Sequence, residues 1–225
     1  MIKQVFYCVL VATLAFGCNS QPSKPKPPRD GVYYDPADDT VNFTKYVYKN
    51  GIVVSEQSFK NNRIEGTVKE YYENGQLRVT VEYADAKRNG MSVVYYQGGA
   101  KRSEVPYKDG KINGTEINYY EDGAVASKVP YENGTPIPGI EEYKKDGTKL
   151  QQPSLVFKQQ GAKMEAQLDN STYRNVKYFN VSGKEPVELP LSGSAGSLRN
   201  VRKGSLIRAV YRTPFGNDGV VEKIY

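Results

Sequence analysis

Two cysteines, 19 tyrosines, a cationic run near the C-terminus and no histidine are the side chains with which this chain can do chemistry. Without imidazole there is no Ser-His or Cys-His nucleophile pair, and the commonest metal ligand and near-neutral base is missing. Carboxylates and carbonyls remain, a donor set for calcium or magnesium rather than zinc or copper. The acidic run Asp35, Asp38 and Asp39 lacks the ligand spacing and glycine of a calcium loop. No glycine loop that cradles phosphate opens a helix, so no catalytic residue, metal or cofactor is expected. Two carboxylates that hydrolyse a glycan need only meet in space, which keeps an envelope glycan hydrolase as the alternative reading. Arg199, Arg202 and Lys203 cluster before Gly204, and Arg208 and Arg212 follow on one strand at even spacing. Together they form an expected anion contact for phosphate-bearing lipid or glycan. The competing use of such charge is to protect an edge strand.

The thiols read as an address. Lys3 is followed by an uncharged stretch from Val5 to Gly17, too short for a spanning helix of roughly 20 residues and suited to a secretory leader. Leu14-Ala15-Phe16-Gly17-Cys18 resembles a bacterial lipoprotein cleavage box, in which small residues precede a cysteine that becomes the lipidated first residue. Cys8 lies within the leader, so Cys18 is the lone thiol of the mature chain and no internal disulfide forms. The resemblance implies a membrane anchor at Cys18. Asn19 in place of aspartate, with no acidic run behind it, points to the outer membrane, facing the periplasm, with exposure at the cell surface as the alternative. Residues 1–17 are then the leader, and residues 18–30 a Pro-rich tether. At about 3.1 Å per residue the tether reaches some 35 to 40 Å.

The elements that position everything else repeat every 24 residues: glycine recurs at 51, 75, 99, 123 and 147, a second glycine at 66, 90 and 114, and an aromatic ring at 59, 83, 107 and 131. Asn50-Gly51, Asn74-Gly75, Gly98-Gly99, Asp122-Gly123 and Asp146-Gly147 are hairpin signals. The strand after each alternates, as in Leu77, Val79, Val81 and Tyr83 against Arg78, Thr80 and Glu82. Valine at 81, 105 and 129 shares the face of the aromatic column and makes a spine. A looser turn is expected through Gly66, Gly90 and Gly114 into strands ending in Tyr71-Tyr72, Tyr95-Tyr96 and Tyr119-Tyr120. Pro106 and Pro130 belong at strand ends or bulges. Tyr72, Tyr96 and Tyr120 are the expected binding face, opposite the spine, because tyrosine offers large contact area at low entropy cost.

This pattern resembles the MORN repeat in its bacterial variant, with Tyr107-Lys108-Asp109-Gly110-Lys111-Ile112-Asn113-Gly114 as the best copy. The resemblance implies an elongated array of antiparallel hairpins and, for function, lipid or protein binding. Past Ser154 the phase is lost, and short strands at 155–158, 162–168, 173–179, 187–191, 206–211 and 220–225 predict a small β-sandwich or open barrel. Ser192 to Ser197 reads as a flexible loop. The expected fold is thus all-β: a hairpin-repeat array over 31–155 and a small basic domain over 156–225. Residues 151–225 hold 11 Lys and Arg against 6 Asp and Glu in a chain of net charge +6. That excess permits contact with anionic lipid, glycan or an acidic protein, while the envelope address argues against nucleic acid. The expected function is a non-enzymatic envelope lipoprotein whose array binds a protein or glycan. A lipid-reading array is a further alternative.

Overall fold

The structure is a computed structural model that describes residues 30–35, 39–169 and 173–225. The leader, Cys18, the tether up to Arg29, and Asp38 of the acidic run lie outside the described residues. The described chain is all-β. A thirteen-stranded sheet takes β1 (Gly31–Asp35), β2 (Phe43–Lys49), β3 (Ile52–Lys60), β4 (Arg63–Ile64), β5 (Gly66–Tyr71), β6 (Leu77–Ala84), β7 (Lys87–Tyr95), β8 (Lys101–Lys108), β9 (Lys111–Ile112), β10 (Gly114–Tyr119), β11 (Val125–Glu132), β12 (Thr135–Pro136) and β13 (Glu141–Glu142). Every pairing is antiparallel and joins strands no more than two apart in chain order. The sheet is an uninterrupted meander along its path of ten strands, about 45 Å at the usual strand spacing.

The turns explain the 24-residue phase, and they come in two kinds. At one edge, Gly75, Gly99, Gly123 and Gly147 each donate N–H to the carbonyl three residues back at 2.9 Å. Each has φ between 81° and 88°, the left-handed residue of a three-residue hairpin that only glycine fills without strain. Asn50-Gly51 differs: both residues have positive φ and the loop has two residues. At the other edge the expected loose turn is a tight one. Asn61-Asn62, Asp85-Ala86, Asp109-Gly110 and Asn133-Gly134 all take positive φ at both positions, the mirror-type turn whose twist matches its strands. Gly66, Gly90 and Gly114 come after that turn and mark a bulge, where the register shifts between Phe59↔Ile64 and Glu56↔Lys69 and at the equivalent places. Pro106 sits at such a bulge. Its carbonyl accepts from Asn113 N–H at 2.9 Å, and its ring lies 3.0 Å from where a Cβ on Gly114 would stand. A second bulge per repeat steps the ladder over Val54, Arg78, Arg102 and Ala126, and each bulge adds twist.

Register settles the faces. Val68 pairs with Val81, Val81 with Ser92, Ser92 with Val105, and Glu116 with Val129, so the valines share their column with Ser92 and Glu116. It is half-buried over most of its length. Apolar side chains of the array that are fully buried are Tyr48, Val68, Val129 and Ile140, the last two at the C-terminal end.

The remaining strands are β14 (Leu155–Gln160), β15 (Lys163–Leu168), β16 (Arg174–Asn180), β17 (Val187–Glu188), β18 (Leu191–Ser192), β19 (Ala195–Ser197), β20 (Leu206–Arg212) and β21 (Asp218–Ile224). They form two four-stranded sheets, β14-β15-β19-β18 and β17-β16-β20-β21, around Leu155, Ala166, Leu168, Tyr178, Leu189, Leu198, Ile207, Ala209 and Tyr211. Leu155 therefore belongs to this core. The expected strand 187–191 is divided, because the chain changes sheets at Leu189-Pro190 and proline has no N–H for a ladder. Ser192–Ser197 is not a flexible loop. It is a hairpin with Gly193 at φ 63°, and Ala195 and Gly196 are buried. A Cβ on Gly196 would lie 2.6 Å from Tyr178 Cβ, so the small residues make room for a ring.

Candidate functional site

Tyr72, Tyr96 and Tyr120 end strands next to the three-residue turns, and their hydroxyls are committed within the array. Tyr72 donates to the Tyr95 carbonyl at 2.6 Å, Tyr96 to Tyr119 at 2.8 Å and Tyr120 to Tyr143 at 2.7 Å. Each bond fastens one repeat to the next. Strand alternation from Val68 through Glu70 places Tyr72 on the spine side, and Tyr96 and Tyr120 follow the same count. The tyrosines opposite the spine are their neighbours Tyr71, Tyr95 and Tyr119.

That opposite face carries Tyr–Glu–Lys groups. Glu56 accepts from the Tyr71 hydroxyl at 3.0 Å and from Lys69 at 2.9 Å. Glu104 accepts from Tyr119 at 2.5 Å and Lys101 at 2.5 Å. Glu141 accepts from Tyr143 at 2.7 Å and from Lys149, with Lys128 at 3.8 Å. Bonds from Lys101 and then Tyr119 hold the Glu104 carboxyl below its ordinary 4.5. Lys149 and Tyr143 do the same for Glu141. Burial, reinforced by Glu104, pushes the Tyr119 phenol up to about 12, and burial with Glu56 raises Tyr71. These groups offer paired charge beside an aromatic ring.

The cationic run divides. Arg208 is paired across the ladder with Glu222 at 2.6 Å and Arg212 with Asp218 at 2.5 Å. Arg199, Arg202 and Lys203 stand exposed on the loop before β20, with no ion pair among the described residues. No three of the His, Cys, Asp and Glu side chains among the described residues come together as a metal would need.

Sequence spacing did not reveal the junction of array and C-terminal sheets. Glu142, 2% exposed, accepts from Thr213 Oγ1 and from Asn217 Nδ2, both at 2.7 Å. Its partners are 71 and 75 residues away, which no local pattern encodes. Beside this clamp, Tyr96, Arg102, Asn118 and Ser127 of the sheet and Phe215 and Asn217 of the β20–β21 turn line a cleft of about 190 Å³.

Comparison with known proteins agrees with the repeat phase. The family described as MORN repeat variant matches residues 64–85 and 112–133, two stretches that start 48 residues apart, or two periods. No curated protein matches the chain. The matched stretches run from the tight turn of one hairpin to that of the next, so at those two positions the array is similar to the MORN repeat variant.

Proposed function

We propose that this chain is a non-enzymatic lipoprotein of the cell envelope, held to the outer membrane through Cys18, whose sheet binds an extended protein or glycan partner. The observation that carries this reading is the face opposite the spine, where Tyr71, Tyr119 and Tyr143 each bring a phenol, a carboxylate and an ammonium group together. Repeated rigid aromatics with satisfied polar neighbours give contact area at little entropic cost. Linear repetition along one sheet suits a partner longer than one repeat. The carboxylates of this face are tied to Lys and Tyr, an arrangement for recognition rather than for a proton-shuttling pair. The leader and the Pro-rich tether support the address, and the envelope location leaves nucleic acid out of the partner list.

A photo-crosslinking residue at Tyr95, which lies between two of these groups, tests the proposal in intact cells. A discrete adduct at Tyr95 and at Ile117 on the same face, and none at Lys87 beside the tight turn, is the expected result. Absence of adducts at both face positions overturns it. Incorporation of labelled fatty acid that disappears in Cys18→Ala tests the anchor separately.

A further inference from the structure

The β20–β21 turn reaches over the spine side of the sheet. Thr213 and Asn217 grip Glu142, and between them Phe215 stays 48% exposed. Phe215 and Tyr96 both line the cleft, together with Arg102, Asn118, Ser127 and Asn217. Asn118 donates its amide nitrogen to Ser127 Oγ and Glu116, both at 3.1 Å. Asn217 donates its own to Glu142. Both amide carbonyls therefore remain as acceptors, and the Ser127 hydroxyl, which accepts from Asn118, still has a proton to donate.

The single charge in the lining is Arg102, and repeat arithmetic explains why it is unpaired. One period earlier the same bulge position holds Arg78, which forms an ion pair with Glu70. One period after Glu70 stands Val94. Arg102 has kept the cation of its repeat-mate and lost the acid, and no carboxylate replaces it among the described residues. The other repeats cannot build this site. The positions equivalent to Asn118 are Glu70, Val94 and Glu142, and the hairpin that supplies Phe215 meets the sheet here.

Aromatic faces bind the C–H faces of a sugar ring, amides and hydroxyls read its hydroxyls, and a free guanidinium binds a carboxylate through two parallel bonds. A cleft of 190 Å³ has room for about six waters at about 30 Å³ each, the scale of one sugar ring. We propose that this cleft binds a single carboxylate-bearing sugar residue, with Arg102 on the carboxylate and Tyr96 and Phe215 against the ring. The site lies across the sheet from the Tyr–Glu–Lys face and stands whether or not that face has a partner.

The test is a titration of the full mature chain with glucuronic acid and N-acetylmuramic acid, and with glucose and N-acetylglucosamine as neutral counterparts. The side-chain amide NMR signals of Asn118 and Asn217 report binding. Saturable shifts with the acidic sugars are expected, with about tenfold weaker binding of the neutral ones, as a charge-assisted bond implies. Arg102→Gln is expected to bring the acids down to the neutral affinity, and Phe215→Ala to weaken both classes. Arg102 and Phe215 are exposed, so unfolding midpoints report whether each variant keeps its fold. Should Arg102→Gln fail to fold, Arg102→Lys, which keeps the charge and loses the fork, is expected to bind the acids with intermediate affinity. No saturable shift, equal affinity for acids and neutral sugars, or acid affinity unchanged in a folded Arg102 variant overturns the proposal.

Discussion

Replacing Tyr72, Tyr96 and Tyr120 together by phenylalanine keeps every ring and removes three hydroxyls. Each hydroxyl now makes a bond of 2.6 to 2.8 Å to a carbonyl in the following repeat. A net hydrogen bond contributes about 1 kcal/mol. The three bonds have no donor or acceptor residue in common, so their losses add to about 3 kcal/mol. For a chain of this size that lowers the unfolding midpoint by about 6 to 12 °C. The chain has an array and a separate core, so one midpoint would blur the answer. Hydrogen exchange is the better assay, because the amides of β5 to β11 are expected to lose protection while those of β14 to β21 keep theirs. A midpoint within about 2 °C of the parent, with unchanged array protection, refutes the idea that these tyrosines fasten the repeats.

Four further outcomes follow from the geometry. Gly196→Ala forces a methyl to within 2.6 Å of Tyr178 Cβ and is expected to cost about 1 to 3 kcal/mol in urea unfolding, whereas Gly183→Ala, whose nearest neighbour is at 3.6 Å, leaves the midpoint unchanged. Ala86 sits at φ 63°. Relief of about 1 to 2 kcal/mol of left-handed strain against an entropic cost of about 0.5 to 1 predicts that Ala86→Gly stabilises by about 0.5 to 1 kcal/mol. Glu142→Leu strands Thr213 and Asn217 and is expected to cost about 2 to 4 kcal/mol and speed proteolysis at the 143–154 connection, while Glu142→Gln retains the acceptor and most of the stability. On the alkaline side, Tyr119 and Tyr131 titrate at about 12 in the fold against an ordinary 10.0. The folded state holds those protons more tightly, so this contribution is complete below pH 10 and is lost as pH rises through about 12. Phenolate absorbance and circular dichroism followed together are expected to change in step there.

The array was legible because its determinants are local. Gly75 and its repeat-mates demand left-handed backbone, Val81 and Val105 alternate with polar neighbours, and every strand pairs with one close in sequence. The loose turn at Gly66 was misplaced because Asn61-Asn62 and Asp85-Ala86 are weaker turn signals than the glycine that follows them, and that glycine serves a bulge. Adjacency in Tyr71-Tyr72 said that the rings part company, but only the register said which joins the spine. The hairpin at 192–197 looked like a linker because Gly and Ser composition is the same whether a segment is solvated or pressed against Tyr178. The clamp at Glu142 and the cleft at Arg102 depend on contacts made across the whole chain, and no spacing rule reaches that far. The exception is the missing acid opposite Arg102, which shows once Arg78 and Glu70 are set against Arg102 and Val94.

Burial is divided unequally, and that division bears on function. From β1 through β10 the fully buried side chains are Tyr48, Val68 and Ser92, whereas the C-terminal sheets and the junction hold Ser127, Val129, Ile140, Glu142, Leu155, Tyr178, Ile207 and Tyr211. A single-layer sheet cannot gather the apolar area that two packed layers provide. Its order rests on ladder bonds, tyrosine fasteners and exposed ion pairs that each contribute little. The exposed edge strand β1, with Val32 and Tyr34 at 47% and 51%, is the end least supported, while β13 is clamped by Glu142. A molecule bound along the face opposite the spine would supply contacts that the array does not make for itself. By mass action it would stabilise the array more than the already well-packed C-terminal core. The scant burial of the array is what would leave it open to such stabilisation, and the Glu142 clamp fixes one end of the sheet to the β20–β21 turn.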